Sequence, residues 1–379
     1  RHGSGKQFRE DGSLLYDGTW ENQRWHGSGA LYFPNGNLAY QGNFQDAKRH
    51  GSGKQFREDG SLLYDGQWEQ DQRQGSGKLL TPTGEVAYEG GFREGRRHGL
   101  GSEYLQGGTL YYTGNWIADQ RHGSGKQFRE DGSLLYDGTW ENQRWHGSGA
   151  LYFPNGNLAY QGNFQDAKRH GSGKQFREDG SLLYDGQWEQ DQRQGSGKLL
   201  TPTGEVAYEG GFREGRRHGL GSEYLEGGTL YYIGNWIADQ KQGTGMLFSL
   251  EETAVYRGEF KENQRHGSGQ EFRNDGSLFY EGAWLNNEKH GRGLLFSPDA
   301  NLVFDGEFHK GIREGQGKEF RKNGELLYKG GFASNQWNGQ GRLYSPFGAL
   351  LYEGEFQQGK QEGTGKEYRE SGTLLYEGA

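Results

Sequence analysis

Cysteine is absent from this chain of 379 residues, methionine occurs once and proline six times. Without cysteine there are no disulfides and no thiolate metal sites. No segment approaches the roughly 20 consecutive apolar residues that a membrane-spanning helix needs, and apolar types make up only 30% of the chain. Mean hydropathy is −1.07. Taken alone, that poverty predicts disorder, because little apolar surface is available to offset the entropy of ordering. Positive charge is also in the minority: 43 basic side chains face 51 acidic ones, a net charge of −8. That balance argues against general nucleic-acid binding, which rests on cations that neutralise phosphate.

What is abundant is strictly ordered. Glycine fills 71 positions and aromatic residues make up 14% of the chain, and both fall at fixed offsets. An aromatic-x-Gly triplet returns every 24 residues without a slip, from Tyr16 to Tyr376. The ladder reads Tyr16, Gly18, Trp20; then Tyr40, Gly42, Phe44; then Tyr64, Gly66, Trp68; and so on to Tyr352, Gly354, Phe356. A long fixed period marks a solenoid-type array in which each unit packs on its neighbours.

Within a unit, Leu38, Tyr40, Gly42 and Phe44 alternate and share one face of an extended strand. The run Gln45–His50 reads as a six-residue polar loop. Gly51 and Gly53 open a second extended run that reaches Phe56. Asn35-Gly36 and Asp59-Gly60 then stand between alternating runs. They predict tight type I′ turns, in which both central residues take positive φ. Glu252 and Ala300 replace the turn glycine, which predicts looser turns or another type there. Glycines beside the aromatics leave room for rings to lie flat across the sheet. The fold expected is all-β: an elongated, twisted antiparallel β-sheet solenoid of about 16 tandem 24-residue hairpins.

The segments Tyr64-Asp65-Gly66-Gln67-Trp68 and Tyr352-Glu353-Gly354-Glu355-Phe356 are followed in each period by His-Gly-x-Gly runs. Examples are Arg49-His50-Gly51-Ser52-Gly53 and Lys289-His290-Gly291-Arg292-Gly293. Together with the Asn/Asp-Gly turns they closely resemble the MORN repeat, over essentially the whole chain. The period is one residue longer than the usual unit of that family. In this it is similar to the MORN-variant repeats of bacterial antitoxin-like proteins. The resemblance implies an elongated antiparallel sheet used for scaffolding, dimerisation or filament building, with an older association with membrane lipid.

Residues 1–379 read as one repeat array. Blocks 1–120 and 121–240 differ only at Gln106 against Glu226 and Thr113 against Ile233, whereas 241–379 keep the frame and diverge. Such near-identity suggests recent tandem duplication, of the kind that lengthens fibres. Neither end has an atypical capping unit, so a fragment of a longer chain, or a protomer with covered ends, is expected.

No catalytic, cofactor-binding or metal-binding residues are expected. Histidine recurs at one register, including His26, His50, His98 and His290. Equivalents in adjacent units would stand roughly 10 Å apart, too far to share one ion, and a hydrogen-bonding role is preferred. Gly51–Lys54 lacks the spacing and following helix of a phosphate loop. The serines lack a nucleophile elbow.

The candidate interaction edge is a basic row: Arg24, Arg49, Arg73, Arg97, Arg121, Arg144, Arg169, Arg193 and Arg217, interrupted by Trp25 and Trp145. It faces an opposite edge carrying Glu58-Asp59 and Glu178-Asp179. Lateral pairing between rods, contact with anionic lipid or polysaccharide, and plain solubility all fit. The leading expectation is a non-enzymatic structural protein, a fragment or protomer of a self-assembling bacterial, extracellular fibre. The alternative is a cytoplasmic or membrane-proximal scaffold that binds protein or anionic lipid. An accessory array attached to a catalytic domain outside this sequence also stays open.

Overall fold

The computed structural model describes every residue from Arg1 to Ala379, and all of its regular structure is β-strand. The chain divides into two compact units, Arg1–Asp191 and Gln192–Ala379. In the first unit β1 (Gly3–Phe8), β2 (Leu14–Glu21), β3 (Arg24–Tyr32), β4 (Leu38–Gln45), β5 (Lys48–Phe56), β6 (Leu62–Glu69) and β7 (Gln72–Leu80) each pair antiparallel with the next. The meander continues to β15 (Lys168–Phe176) and β16 (Leu182–Glu189). The second unit runs in the same way from β17 (Gln192–Leu200) and β18 (Val206–Arg213) to β31 (Lys360–Tyr368) and β32 (Leu374–Gly378). The expected all-β tandem array of antiparallel hairpins is therefore what the chain forms.

The two kinds of turn are the reverse of the expectation. Gln45 to His50 is not a six-residue loop: β4 runs to Gln45 and β5 begins at Lys48. Only Asp46 (φ 50°) and Ala47 (φ 66°) lie between them, both left-handed, as a type I′ turn requires. Asn22-Gln23 and Gln70-Asp71 do the same. The Asp-Gly and Asn-Gly turns are instead three-residue loops. Gly60 N–H donates to the Arg57 carbonyl (3.0 Å) and Arg57 N–H to the Ser61 carbonyl (2.9 Å). Only the glycine takes positive φ (88° at Gly60), the pattern of a type I turn closed by a glycine bulge. The turns without glycine keep this form. Glu252 and Ala300 adopt φ 58° and 60°, with their N–H groups on the Ser249 (3.1 Å) and Ser297 (3.0 Å) carbonyls. Neighbouring ladders thus hold even L-residues in a strained conformation.

The aromatic face forms the core. Tyr16, Tyr40 and Tyr64 are fully buried, with Trp20, Phe44 and Trp68 close behind. Each tyrosine lies along its own strand over a cross-strand glycine pair, such as Gly18 opposite Gly29. A Cβ at Gly18 or Gly29 would sit 2.4 Å from the Tyr16 hydroxyl. That hydroxyl donates to the Thr19 carbonyl at 2.9 Å, and Tyr64 does likewise to Gln67 at 3.0 Å. The rings interlock edge to face across hairpins: Tyr16 with Phe44 at 5.3 Å, Tyr40 with Trp68 at 5.5 Å. This is the geometry that ring quadrupoles favour. Tryptophans add a donor, since Trp68 Nε1–H reaches the Gly53 carbonyl at 3.1 Å. The same ladder closes the second unit at Tyr352 and Phe356, 5.1 Å apart beside Gly354.

Candidate interaction surface

The basic row splits by register. Arg24 and Arg144 end the type I′ turns and lie mostly in solvent, 63% and 64% exposed, each in one long contact with Asp46 or Asp166. Arg49, Arg73, Arg97, Arg121, Arg169 and Arg217 stand one frame position further on, over the aromatic face. The Arg49 guanidinium lies 4.1 Å from the centre of the Trp68 ring, and Arg97, Arg169 and Arg217 lie 4.0–4.1 Å from Trp116, Trp188 and Trp236. Arg73 and Arg121 lie over Tyr64 and Tyr112, at 4.9 and 5.1 Å. Such contacts are stabilising for a cation on a ring face. Arg193, the second residue of β17, stands at the same frame position and is partly buried.

These side chains also tie each turn to the next. Arg49 donates from its backbone N and its Nε to Asp71 Oδ1 (2.9 and 3.1 Å), and from Nη2 to the Asp71 carbonyl (2.9 Å). Arg97 with Asp119, Arg169 with Asp191 and Arg217 with Asp239 repeat the clamp. Arg49 is only 24% exposed. The row therefore presents little free charge, except at Arg24 and Arg144. Trp25 and Trp145 fill the arginine position and stack flat on Tyr16 and Tyr136, both at 4.8 Å. Their Nε1–H groups donate to Gln7 and Gln127.

One set of partners escaped the sequence reading. Glu103, Glu223, Glu271 and Glu319 follow the basic residue by six and lie on the aromatic face beside it. Arg97 meets Glu103 at 3.0 Å and Arg217 meets Glu223 at 2.9 Å. Lys241 and Lys289 reach the same carboxylates from the following hairpin, Lys241 to Glu223 and Lys289 to Glu271. The recurring Arg-x5-Glu spacing is the signal that would have revealed them. The acidic turn residues are engaged too. Asp59 accepts from Ser61 N–H (2.8 Å) and Oγ–H (2.6 Å), and those bonds hold its carboxyl below the usual aspartate range.

The opposite face is polar and open. Lysines pair with carboxylates across strands: Lys54 with Asp65, Lys78 with Glu89, Lys126 with Asp137 and Lys198 with Glu209, at 3.0–3.6 Å. Between them the small side chains of Ser28, Ala30, Asn43 and Ser52 line a shallow groove of about 650 Å³ over Gly29, Gly42 and Gly53. No group of three or more His, Asp or Glu side chains gathers as a metal site. In the histidine row, His26 Nε2 meets Glu21 at 3.3 Å. Gln74, in the same slot, accepts from the Glu94 N–H at 3.2 Å. No helix is long and apolar enough to cross a membrane.

A hairpin array with this buried Tyr-x-Gly ladder defines a repeat protein whose surfaces are its sheet faces and turns. The family model described as MORN repeat matches fifteen successive segments, from residues 16–38, 40–62 and 64–86 through to 352–374. The chain belongs to the MORN repeat family. No curated protein matches it. Among solved structures, a crystal structure of TcdB2-TccC3-Cdc42 is 13% identical over 98% of this chain and 23% of that one, with a TM-score of 0.16. A structure of TcdB2-TccC3 without its hypervariable C-terminal region is 12% identical over 98% and 20%, with a TM-score of 0.17. The chain thus spans about a fifth to a quarter of their length, and similarity this low carries no argument.

Proposed function

We propose that this chain is a non-enzymatic structural repeat protein that binds protein, a second copy of itself included, through its polar face, and so serves as the building unit of a fibre. The observation that supports this is the division of labour between the faces. On the ring side the basic residues are held by rings and carboxylates of neighbouring hairpins. On the polar side, alternating Lys and Asp/Glu rows stand at a regular repeat beside a Gly/Ser floor. Rows of both signs at one spacing favour a partner with the same spacing, and a second array supplies it. Light scattering and negative-stain imaging test this. Assemblies longer than a single chain, lost on Lys54→Glu, Lys78→Glu and Lys126→Glu together, are expected. A protein that stays monomeric at high concentration and captures no protein partner refutes it. The membrane-proximal reading has Arg24 and Arg144 in its favour as the exposed cations of the row. Flotation with anionic vesicles that is lost on Arg24→Glu with Arg144→Glu would support that reading instead.

A further inference from the structure

The eleventh histidine lies off the histidine row. His309 ends β26 (Leu302–His309), beside β25 (Glu288–Phe296). Gly291 pairs with Phe308, so His290 and His309 are the next residues along the two strands. Their ring centroids are 5.2 Å apart, with planes tilted by 51°. Elsewhere along the row the frame position of His309 holds Glu21, Gln45, Ile117 or Leu285, so this is the one hairpin junction that brings two imidazoles together.

We propose that His290 and His309 bind one divalent transition-metal ion of the borderline class that imidazole favours, with Zn2+ as its simplest representative. Two imidazoles sharing an ion at ~2.0–2.1 Å per nitrogen, at about a tetrahedral angle, place their ring centres roughly 5 Å apart. The observed separation meets that condition without moving the strands. Neutral imidazole offers its lone pair once it has lost its proton, so no other chemistry is needed to load the site. His290 is partly buried and His309 is exposed, which leaves the ion open to water for its remaining positions.

The scaffold supports both rings. Side chains in the His290 slot reach the following turn, as Gln74 does to Glu94 and Gln242 to Glu262. That is the turn on which His309 stands. Lys289, which precedes His290, is held away by Glu271 at 2.7 Å.

Calorimetric titration of the full chain with ZnCl2 tests the site. The variants are His290→Gln, His309→Gln and the double change. The repeat already tolerates them, because Gln242 and Gln357 hold the same two frame positions. One saturable event near one equivalent is expected, weakened about tenfold or more by each single change and abolished in the double variant. Circular dichroism should be unchanged in all three. Absence of saturable binding in the unmodified chain, or binding that survives the double change, overturns the proposal.

Discussion

Replacing Gly77 by alanine tests the central packing claim. Gly77 pairs with Gly66 under the ring of Tyr64. An added Cβ would lie 2.3 Å from the Tyr64 hydroxyl and 2.5 Å from Cε2 and Cζ. The ring is fully buried, so it cannot swing aside without disturbing Trp68 and Phe92, whose rings lie 5.2 Å away. Overpacking of this kind costs ~1–3 kcal/mol, and loss of the bond from Tyr64 to the Gln67 carbonyl adds ~1 kcal/mol. The expected destabilisation is therefore about 2–4 kcal/mol. Gly317 supplies an internal standard, because it faces Phe304 and a Cβ there meets ring atoms only at 2.8 Å. Gly317→Ala should cost less than Gly77→Ala. Urea unfolding followed by amide exchange of the flanking strands measures both. Equal losses, or a loss below about 0.5 kcal/mol at Gly77, would refute the view that ring height above the sheet sets the glycine requirement.

Glu252→Gly and Ala300→Gly should each stabilise by a net ~0.5–1 kcal/mol, seen as a raised urea midpoint, since glycine relieves the left-handed backbone but loses more entropy on folding. Burial raises the phenols of Tyr16, Tyr64 and Tyr112 from 10.0 to about 12. The folded chain then holds protons that the unfolded one releases, so stability is full below pH ~10 and falls as pH rises towards 12, by up to ~1.4 kcal/mol per pH unit for each tyrosine. Phenolate absorbance should therefore appear together with loss of the β-sheet signal; phenols titrating near pH 10 in a still-folded chain would contradict this. Asp71→Ala should cost about 1 kcal/mol, discounted for its half-exposed position, and should speed amide exchange at Arg49, whose N–H would lose its acceptor.

The ladder was legible because Tyr-x-Gly-x-Trp/Phe repeats in a frame that only a stack of hairpins satisfies. The turns were less so. Asp-Gly signals a left-handed glycine in either turn type, and Asp59 alone cannot show whether its own φ is positive. Most of the true type I′ turns, such as Asn22-Gln23 and Asp46-Ala47, lack glycine and read as ordinary polar loop, whereas Glu94-Gly95 and Lys310-Gly311 carry it. The basic row misled for a geometric reason. Arg24 and Arg49 are 25 residues apart, one more than the period. That single step separates an exposed turn residue from one lying over a ring. A bulge then deepens the difference, since β3 advances four residues from Trp25 to Gly29 while β2 advances two. Composition records none of this.

The clamp from Arg49 to Asp71 joins one turn to the next and no further. Each clamp of this kind is closed by residues of adjacent hairpins. A five-hairpin block copied in frame therefore creates only one new junction, where its last hairpin meets its own first, as Glu103 meets Arg121. Recombination can lengthen or shorten such a gene by whole repeats while each seam keeps the same frame of rings and glycines, and the near-identical residues 1–120 and 121–240 are what that freedom would leave behind.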